Sequence, residues 1–87
     1  MKLTYREIYN HPQYSKYSKY SNCYSDFRNR KLEKNSSIMY IEDNMFKLGY
    51  IECKDYVLED GTILIDFPYI KTVKKLIPCN GINSILI

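Results

Sequence analysis

The fold is decided by residues 56–67, which read YVLEDGTILIDF. Two runs of mostly β-branched, aromatic and aliphatic residues flank Asp60-Gly61, a pair that supplies the two positive φ angles of a type I′ turn. This pattern predicts a β-hairpin. We expect Pro68 to end its second strand, because proline has no backbone N–H to donate to a sheet ladder.

The segment after this hairpin, residues 69–77, fits two periods. Ile70, Val73 and Ile77 suit one face of a helix, whereas the β-branched side chains of the same segment suit a strand. Asn80-Gly81 has the composition of a second hairpin turn, with residues 82–87 as a closing strand. A hairpin there needs a strand before it, so we predict strand for residues 69–77.

Upstream of the hairpin, a short polar linker lies at residues 35–37, and residues typical of β-strands predominate after it. Residues 38–41 read as a strand, Asp43-Asn44 as a turn, and residues 45–53 as a second strand. Gly49 interrupts that second strand, which is typical of a β-bulge.

The N-terminal part has helical signals. Thr4 and Glu7 form a T-x-x-E capping box, and Pro12 stops the chain from continuing in a helix, so we predict a helix over residues 5–10. Aromatic residues then recur at spacings of 3, 3, 4 and 3, which keeps them on one side of a helix over residues 12–30. The alternative is an irregular loop, because the serines and asparagines of this stretch are poor helix formers. The five aromatic residues of this stripe are Tyr14, Tyr17, Tyr20, Tyr24 and Phe27.

These elements predict an α+β fold in a single domain spanning residues 1–87. Helices at about residues 5–10 and 12–30 pack on a small antiparallel meander of five or six strands. Residues 1–36 form a basic, tyrosine-rich helical part, and residues 37–87 form the β-rich part.

The composition indicates a non-catalytic protein. A single histidine, His11, and three widely spaced cysteines lack the short ligand pairs of structural zinc sites, so we expect no metal, no cofactor and no catalytic residues. A domain of this size is also not expected to enclose a pocket of about 300 Å³ and keep its core. No apolar run approaches the roughly 18 residues that span a bilayer, and no apolar leader follows Met1, so we expect a cytoplasmic protein without membrane contact.

The choice of residues points to an AT-rich gene. The chain has no alanine, ten tyrosines and ten lysines against three arginines. In this composition it resembles the small early and host-takeover proteins of large AT-rich tailed phages. The resemblance implies a binding protein that acts in the host cytoplasm on a host protein, with inhibition or anti-defence as its role.

Charge is divided along the chain. Residues 1–37 hold eight Lys and Arg against three acidic residues, whereas residues 42–66 hold two against seven. Basic and aromatic side chains interleave over residues 14–34, as a site for RNA or single-stranded DNA requires. The bland alternative is that the aromatic stripe packs the helix on the sheet while the basic side chains face water. The candidate residues for nucleic-acid or partner binding are Tyr14, Lys16, Tyr17, Lys19, Tyr20, Arg28, Arg30, Lys31 and Lys34.

Three functions therefore remain open at this point. The first is an inhibitor that occupies a nucleic-acid-handling host protein, such as a nuclease or a ribonucleoprotein, with the acidic residues as a second contact. The second is an RNA- or ssDNA-binding module that uses the basic face of residues 14–34. The third is an accessory homodimer closed through the apolar C-terminal strand, residues 84–87.

Overall fold

The computed structural model describes residues 1–82, 84 and 85, and it confirms the α+β fold. Two N-terminal helices pack on a mixed sheet. In chain order the elements are β1 (Lys2–Leu3), α1 (Tyr5–Tyr9), α2 (Tyr14–Asn29), β2 (Ser37–Glu42), β3 (Met45–Val57), β4 (Ile63–Lys71), β5 (Leu76–Pro78), a 3₁₀ turn (Cys79–Gly81) and β6 (Ser84–Ile85).

Both predicted helices are confirmed. The hydroxyl of Thr4 accepts a hydrogen bond from the Glu7 amide, and the Glu7 carboxylate accepts one from the Thr4 amide, each at 3.3 Å. This capping box satisfies donors that the first turn of α1 would otherwise leave unpaired. In α2 the buried face holds Tyr17, Tyr24 and Phe27, so burial of the aromatic stripe outweighs the weak helix propensity of its serines.

The sheet is a β2-β3-β4-β5 meander in which β6 extends the sheet beyond β2, and β1 pairs with the start of β4 on the same edge of β4 that β5 uses. All pairs within the meander are antiparallel. Sequence analysis missed β1, which pairs in parallel with the start of β4 and leads directly into α1. A two-residue strand carries no periodic signal, so only its partner in the fold reveals it.

The type I′ turn predicted at Asp60-Gly61 is wrong, although the hairpin itself is present. Gly61 has a positive φ of 87° whereas Asp60 does not, so the loop is a three-residue turn with glycine in the left-handed position rather than a type I′ turn. The Leu58 carbonyl accepts from the Gly61 amide at 3.0 Å. The two positive φ angles of a type I′ turn occur instead at Asp43 and Asn44, 53° and 61°.

Two predictions about strand interruptions are also wrong. Pro68 does not end β4. On the edge of β4 away from β3, residues 63–64 pair with β1 and residues 69–71 pair with β5. Pro68 lies between these two stretches, so its missing N–H interrupts no ladder on that edge. Gly49 is not a bulge, since it pairs with Ile38 in unbroken register. A Cβ at residue 49 would lie 2.5 Å from Ile70 Cγ2, so the glycine is needed for close approach.

The bulge lies in β4 instead. Ile65 and Asp66 together face Asp55 alone on β3, and Asp66 has a left-handed φ of 53°. Tyrosines hold the freed carbonyls: Tyr24 Oη donates to the Ile65 carbonyl, and Tyr69 Oη donates to the Asp55 carbonyl at 2.9 Å. Burial raises the pKa of both phenols, which favours the protonated form that donates these hydrogen bonds.

The C-terminal prediction is confirmed only in part. Residues 69–71 belong to β4, residues 72–75 form a loop, and β5 begins at Leu76. Residues 79–81 form a 3₁₀ turn rather than a hairpin turn, and Cys79 in this turn is buried beside Cys23 of α2. The chain thereby crosses to the far edge of the sheet, where β6 pairs with β2. Residues 83, 86 and 87 of the predicted closing strand lie outside the described residues.

An aromatic cluster joins α2 to the sheet. The Phe67 ring is fully buried, and its centroid lies 5.3 Å from that of Tyr24 and 4.9 Å from that of Tyr56. Tyr20 and Tyr69 close the same cluster at 6.0 Å from Phe67. The pairs of Phe67 with Tyr20, Tyr24 and Tyr69 are edge-to-face and that with Tyr56 is tilted, and aromatic pairs at these distances stabilise the packing beyond the area they bury.

Candidate functional site

The predicted tyrosine surface lies mostly inside the molecule. Tyr17 is 1% exposed, and Tyr20 is half-buried against Tyr56 and Phe67, so these rings already have packing partners. Tyr14 is half-buried beside Tyr9. A base can stack only on a ring face that is open to solvent, and few faces of this stripe are open.

Three of the predicted basic residues are engaged within the chain. Lys16 pairs with Asp60 at 2.7 Å, Arg30 at the end of α2 pairs with Asp26 at 2.9 Å, and Lys34 pairs with Glu52 at 3.3 Å. These side chains are substantially exposed, so each pair can open for a partner at little cost in stability.

The other basic residues of the prediction are exposed without an ion pair among the described residues. Lys19 lies over the ring of Tyr20 at 5.0 Å, and Arg28 lies over the ring of Tyr5 at 4.8 Å. Lys31 follows α2 with a left-handed φ of 56°. The predicted residues are divided between two grooves, since Lys16 and Lys19 line one and Arg28 lines another.

The predicted acidic contact is partly neutralised. Glu42 accepts from both Lys47 and Lys75, at 3.0 Å and 2.8 Å, and these hydrogen bonds lower its pKa. The hydrogen bond from Lys16 likewise holds the pKa of Asp60 far below its usual range. Four of the seven acidic residues have no ion pair in the described part of the chain, namely Asp43, Asp55, Glu59 and Asp66.

A row of exposed apolar side chains lies on the hairpin of β2 and β3. Residues that face each other across an antiparallel pair project from the same side, as do alternate residues along one strand. The register therefore places five apolar side chains together on what we call the outer hairpin face: Met39, Ile41, Phe46, Leu48 and Tyr50.

Three of these side chains are strongly exposed. Phe46 is 73% exposed, Leu48 68% and Tyr50 59%, whereas Ile38 and Ile51, which project from the opposite side of the same strands, are each 1% exposed. The core therefore lies on that opposite side. Contiguous exposed apolar side chains bordered by polar residues are typical of protein interaction sites.

This face was not predicted, although its signal is present in the sequence. Residues 46, 48 and 50 alternate along a segment already predicted as a strand. However, the other face of that strand holds Ile51, so both faces contain apolar residues. Alternation alone does not say which face is covered, because that depends on where the helices pack.

Comparisons with known proteins add no relative. No protein-family model, no curated protein and no solved structure matches this chain. In the part of the chain that the structure describes, no helix has the length and apolar character to cross a bilayer.

Proposed function

We propose that this chain is a small non-catalytic binding protein that attaches to a partner protein through the outer hairpin face. The observation that carries the proposal is the row of Phe46, Leu48 and Tyr50, exposed at 73%, 68% and 59%. An exposed apolar side chain on its own is ordinary, but five together on two paired strands form a patch.

The composition of the patch suits a protein partner rather than a nucleic acid. Phe, Tyr and Met are enriched in the buried centre of protein interfaces, where charged residues are depleted. Polar groups border it, since Tyr50 lies opposite Lys71 on β4 and opposite Ser37 on β2. Such a polar rim keeps water away from an apolar centre once a partner binds.

The partner class rests on the resemblance in composition to phage host-takeover proteins. We infer a nucleic-acid-handling host protein, such as a nuclease or a ribonucleoprotein, that the chain inhibits by occupying its surface. The four acidic residues without an ion pair in the described chain offer a second contact to a basic enzyme.

Nucleic-acid binding through residues 14–34 is the second candidate. Lys19, Arg28 and Lys31 support it, because they are exposed and have no ion pair among the described residues. The buried ring of Tyr17 argues against the stacking half of that mechanism. Affinity carried by these cations alone would fall steeply with salt.

The test is capture from a nuclease-treated bacterial lysate. The double variant F46S/L48S removes an aromatic and an aliphatic side chain from the outer hairpin face. Y9S/V57S is the matched control, since Tyr9 and Val57 are each 60% exposed and lie outside that face. We expect the control to retain a stoichiometric host protein that F46S/L48S loses, and the purified host protein to lose activity when the wild-type chain is added.

Three results would contradict the proposal. The first is equal retention of the host protein by both variants, which removes the outer hairpin face from the contact. Capture that disappears with nuclease and weakens in R28Q/K31Q would favour the nucleic-acid function. A dimer of the chain alone, dissociated by F46S/L48S in light scattering, would assign the face to a second copy.

A further inference from the structure

An open groove of about 410 Å³ lies between α1, the second half of α2 and the bulged part of β4. Its volume falls in the range of small-molecule sites. The groove is open to solvent, so it differs from the enclosed pocket that a domain of this size is not expected to hold. Its apolar floor is formed by Phe27, Leu32, Ile51, Ile65 and Pro68.

Two arginines line the groove. Arg6 is on α1 and Arg28 is on α2, and neither takes part in an ion pair among the described residues. The guanidinium of Arg28 lies 4.8 Å from the ring centroid of Tyr5, whose hydroxyl is hydrogen-bonded to Ser25 at 2.9 Å. Stacking on this fixed ring orients the guanidinium and leaves its N–H edge for an anion.

A carboxylate lines the same groove. Asp66 is the left-handed residue of the bulge, and the hydrogen bonds of Tyr24 and Tyr69 to the neighbouring carbonyls hold its backbone in place. The Asp66 carboxylate has no ion pair in the described part of the chain, although the two arginines line the same groove. It is therefore available to accept a hydrogen bond from a ligand.

We propose that this groove binds a nucleoside monophosphate. The two arginines suit a phosphate, since a guanidinium matches its oxygens with two parallel hydrogen bonds. The apolar floor suits the face of a base, and the carboxylate accepts from an amino group of the base or a hydroxyl of the ribose. A simple apolar carboxylate would leave the Asp66 carboxylate unused, and inorganic phosphate would leave both that carboxylate and the apolar floor unused. The site shares no residue with the outer hairpin face, so it goes beyond the proposed function.

The experiment is calorimetric titration of the intact chain with AMP, GMP, CMP and UMP, and with the corresponding nucleosides and inorganic phosphate. We expect at least one monophosphate to bind about tenfold more tightly than both its nucleoside and inorganic phosphate. R28Q and R6Q should each raise that Kd about tenfold or more, because a charged hydrogen bond is lost. D66N should raise the Kd for the monophosphate but not that for inorganic phosphate, because the substitution removes a hydrogen-bond acceptor for the nucleoside and a negative charge that repels phosphate.

The matched control is R30Q. Arg30 follows α2 two residues after Arg28 and is already paired with Asp26, so the change in net charge is the same but the groove is untouched. Far-UV circular dichroism confirms that each variant is folded. Absence of binding by all four monophosphates at millimolar concentration would overturn the proposal. So would equal affinity for inorganic phosphate, or an equal loss in R30Q and R28Q.

Discussion

The aromatic stripe of α2 and the outer hairpin face are both rows of large apolar side chains, but only one of them is covered. On α2, Tyr17 is 1% exposed and Phe27 4%, whereas on β3 Phe46 is 73% exposed and Leu48 68%. The stripe is the more conspicuous pattern in the sequence, yet its side chains mainly pack α2 against the rest of the fold. The less conspicuous row is the surface that a partner can reach.

The difference teaches how this chain uses its ten tyrosines. Tyr24 and Tyr69 each bury a ring and direct a hydroxyl to a carbonyl of the β-bulge. A tyrosine can therefore serve as a core residue where the fold leaves a buried acceptor. A high tyrosine content is for that reason a weak indicator of nucleic-acid binding in this protein.

The largest effect is expected from a paired truncation of one covered and one uncovered phenylalanine. F67A empties the centre of the aromatic cluster and should lower the free energy of unfolding by about 3–5 kcal/mol. F46A should change it by no more than about 0.5 kcal/mol. Urea unfolding followed by circular dichroism measures both free energies. Equal losses in the two variants would contradict the claim that Phe67 is covered and Phe46 is not.

A smaller effect is expected from two neighbouring residues of β3 that face opposite sides. In G49A the new methyl group meets Ile70 Cγ2 and the Lys71 carbonyl, so we expect a loss of about 1–3 kcal/mol in the free energy of unfolding. L48A, at a side chain that is 68% exposed, should be close to neutral. A G49A variant as stable as the wild type would contradict the close approach of β4 to residue 49 of β3.

Removing a hydroxyl from the stripe should have a more modest effect. Y24F leaves the Ile65 carbonyl without its side-chain donor and should cost about 1–2 kcal/mol in the free energy of unfolding. Y9F is the control, because Tyr9 is 60% exposed. If both variants unfold at the same urea concentration, the bulge does not depend on this hydrogen bond.

The smallest effect concerns the contact between α2 and the β3-β4 hairpin. The hydrogen bond from Lys16 holds the pKa of Asp60 below its unfolded value of about 3.9, so the stabilisation is present above that pH and is lost as the pH falls toward the folded pKa. We expect D60N to lower the Tm slightly at pH 7, with a difference that shrinks below about pH 4. Thermal unfolding at several pH values checks this, and a difference that grows in acid would show the opposite linkage.

Local signals in the sequence account for much of the fold. The capping box at Thr4 and Glu7 and the aromatic spacing of α2 place both helices, and the turn residues at positions 43–44 and 60–61 place two hairpins. Each of these depends on residues close together in the chain. The bulge at Asp66, the strand that continues through Pro68 and the crossing to β6 depend on which strands become neighbours.

The candidate sites follow the same division. The sequence pointed to Arg28 as a basic contact and to Asp66 as an acidic one, but it gave no sign that they line one groove together with Arg6, because α1 and the bulge meet α2 only in the folded chain. The outer hairpin face was missed for a related reason. Both sides of β3 hold apolar residues, and the side that faces water is set by the helices that cover the other.

The central claim is that a partner protein binds the outer hairpin face. Hydroxyl-radical footprinting of the chain, alone and in the nuclease-treated complex, tests it most directly, because the radical oxidises exposed Phe, Leu and Tyr side chains in place. The account predicts that oxidation of Phe46, Leu48 and Tyr50 falls severalfold in the complex while that of Tyr9 stays constant. Unchanged oxidation at residues 46, 48 and 50, with protection elsewhere, would contradict it.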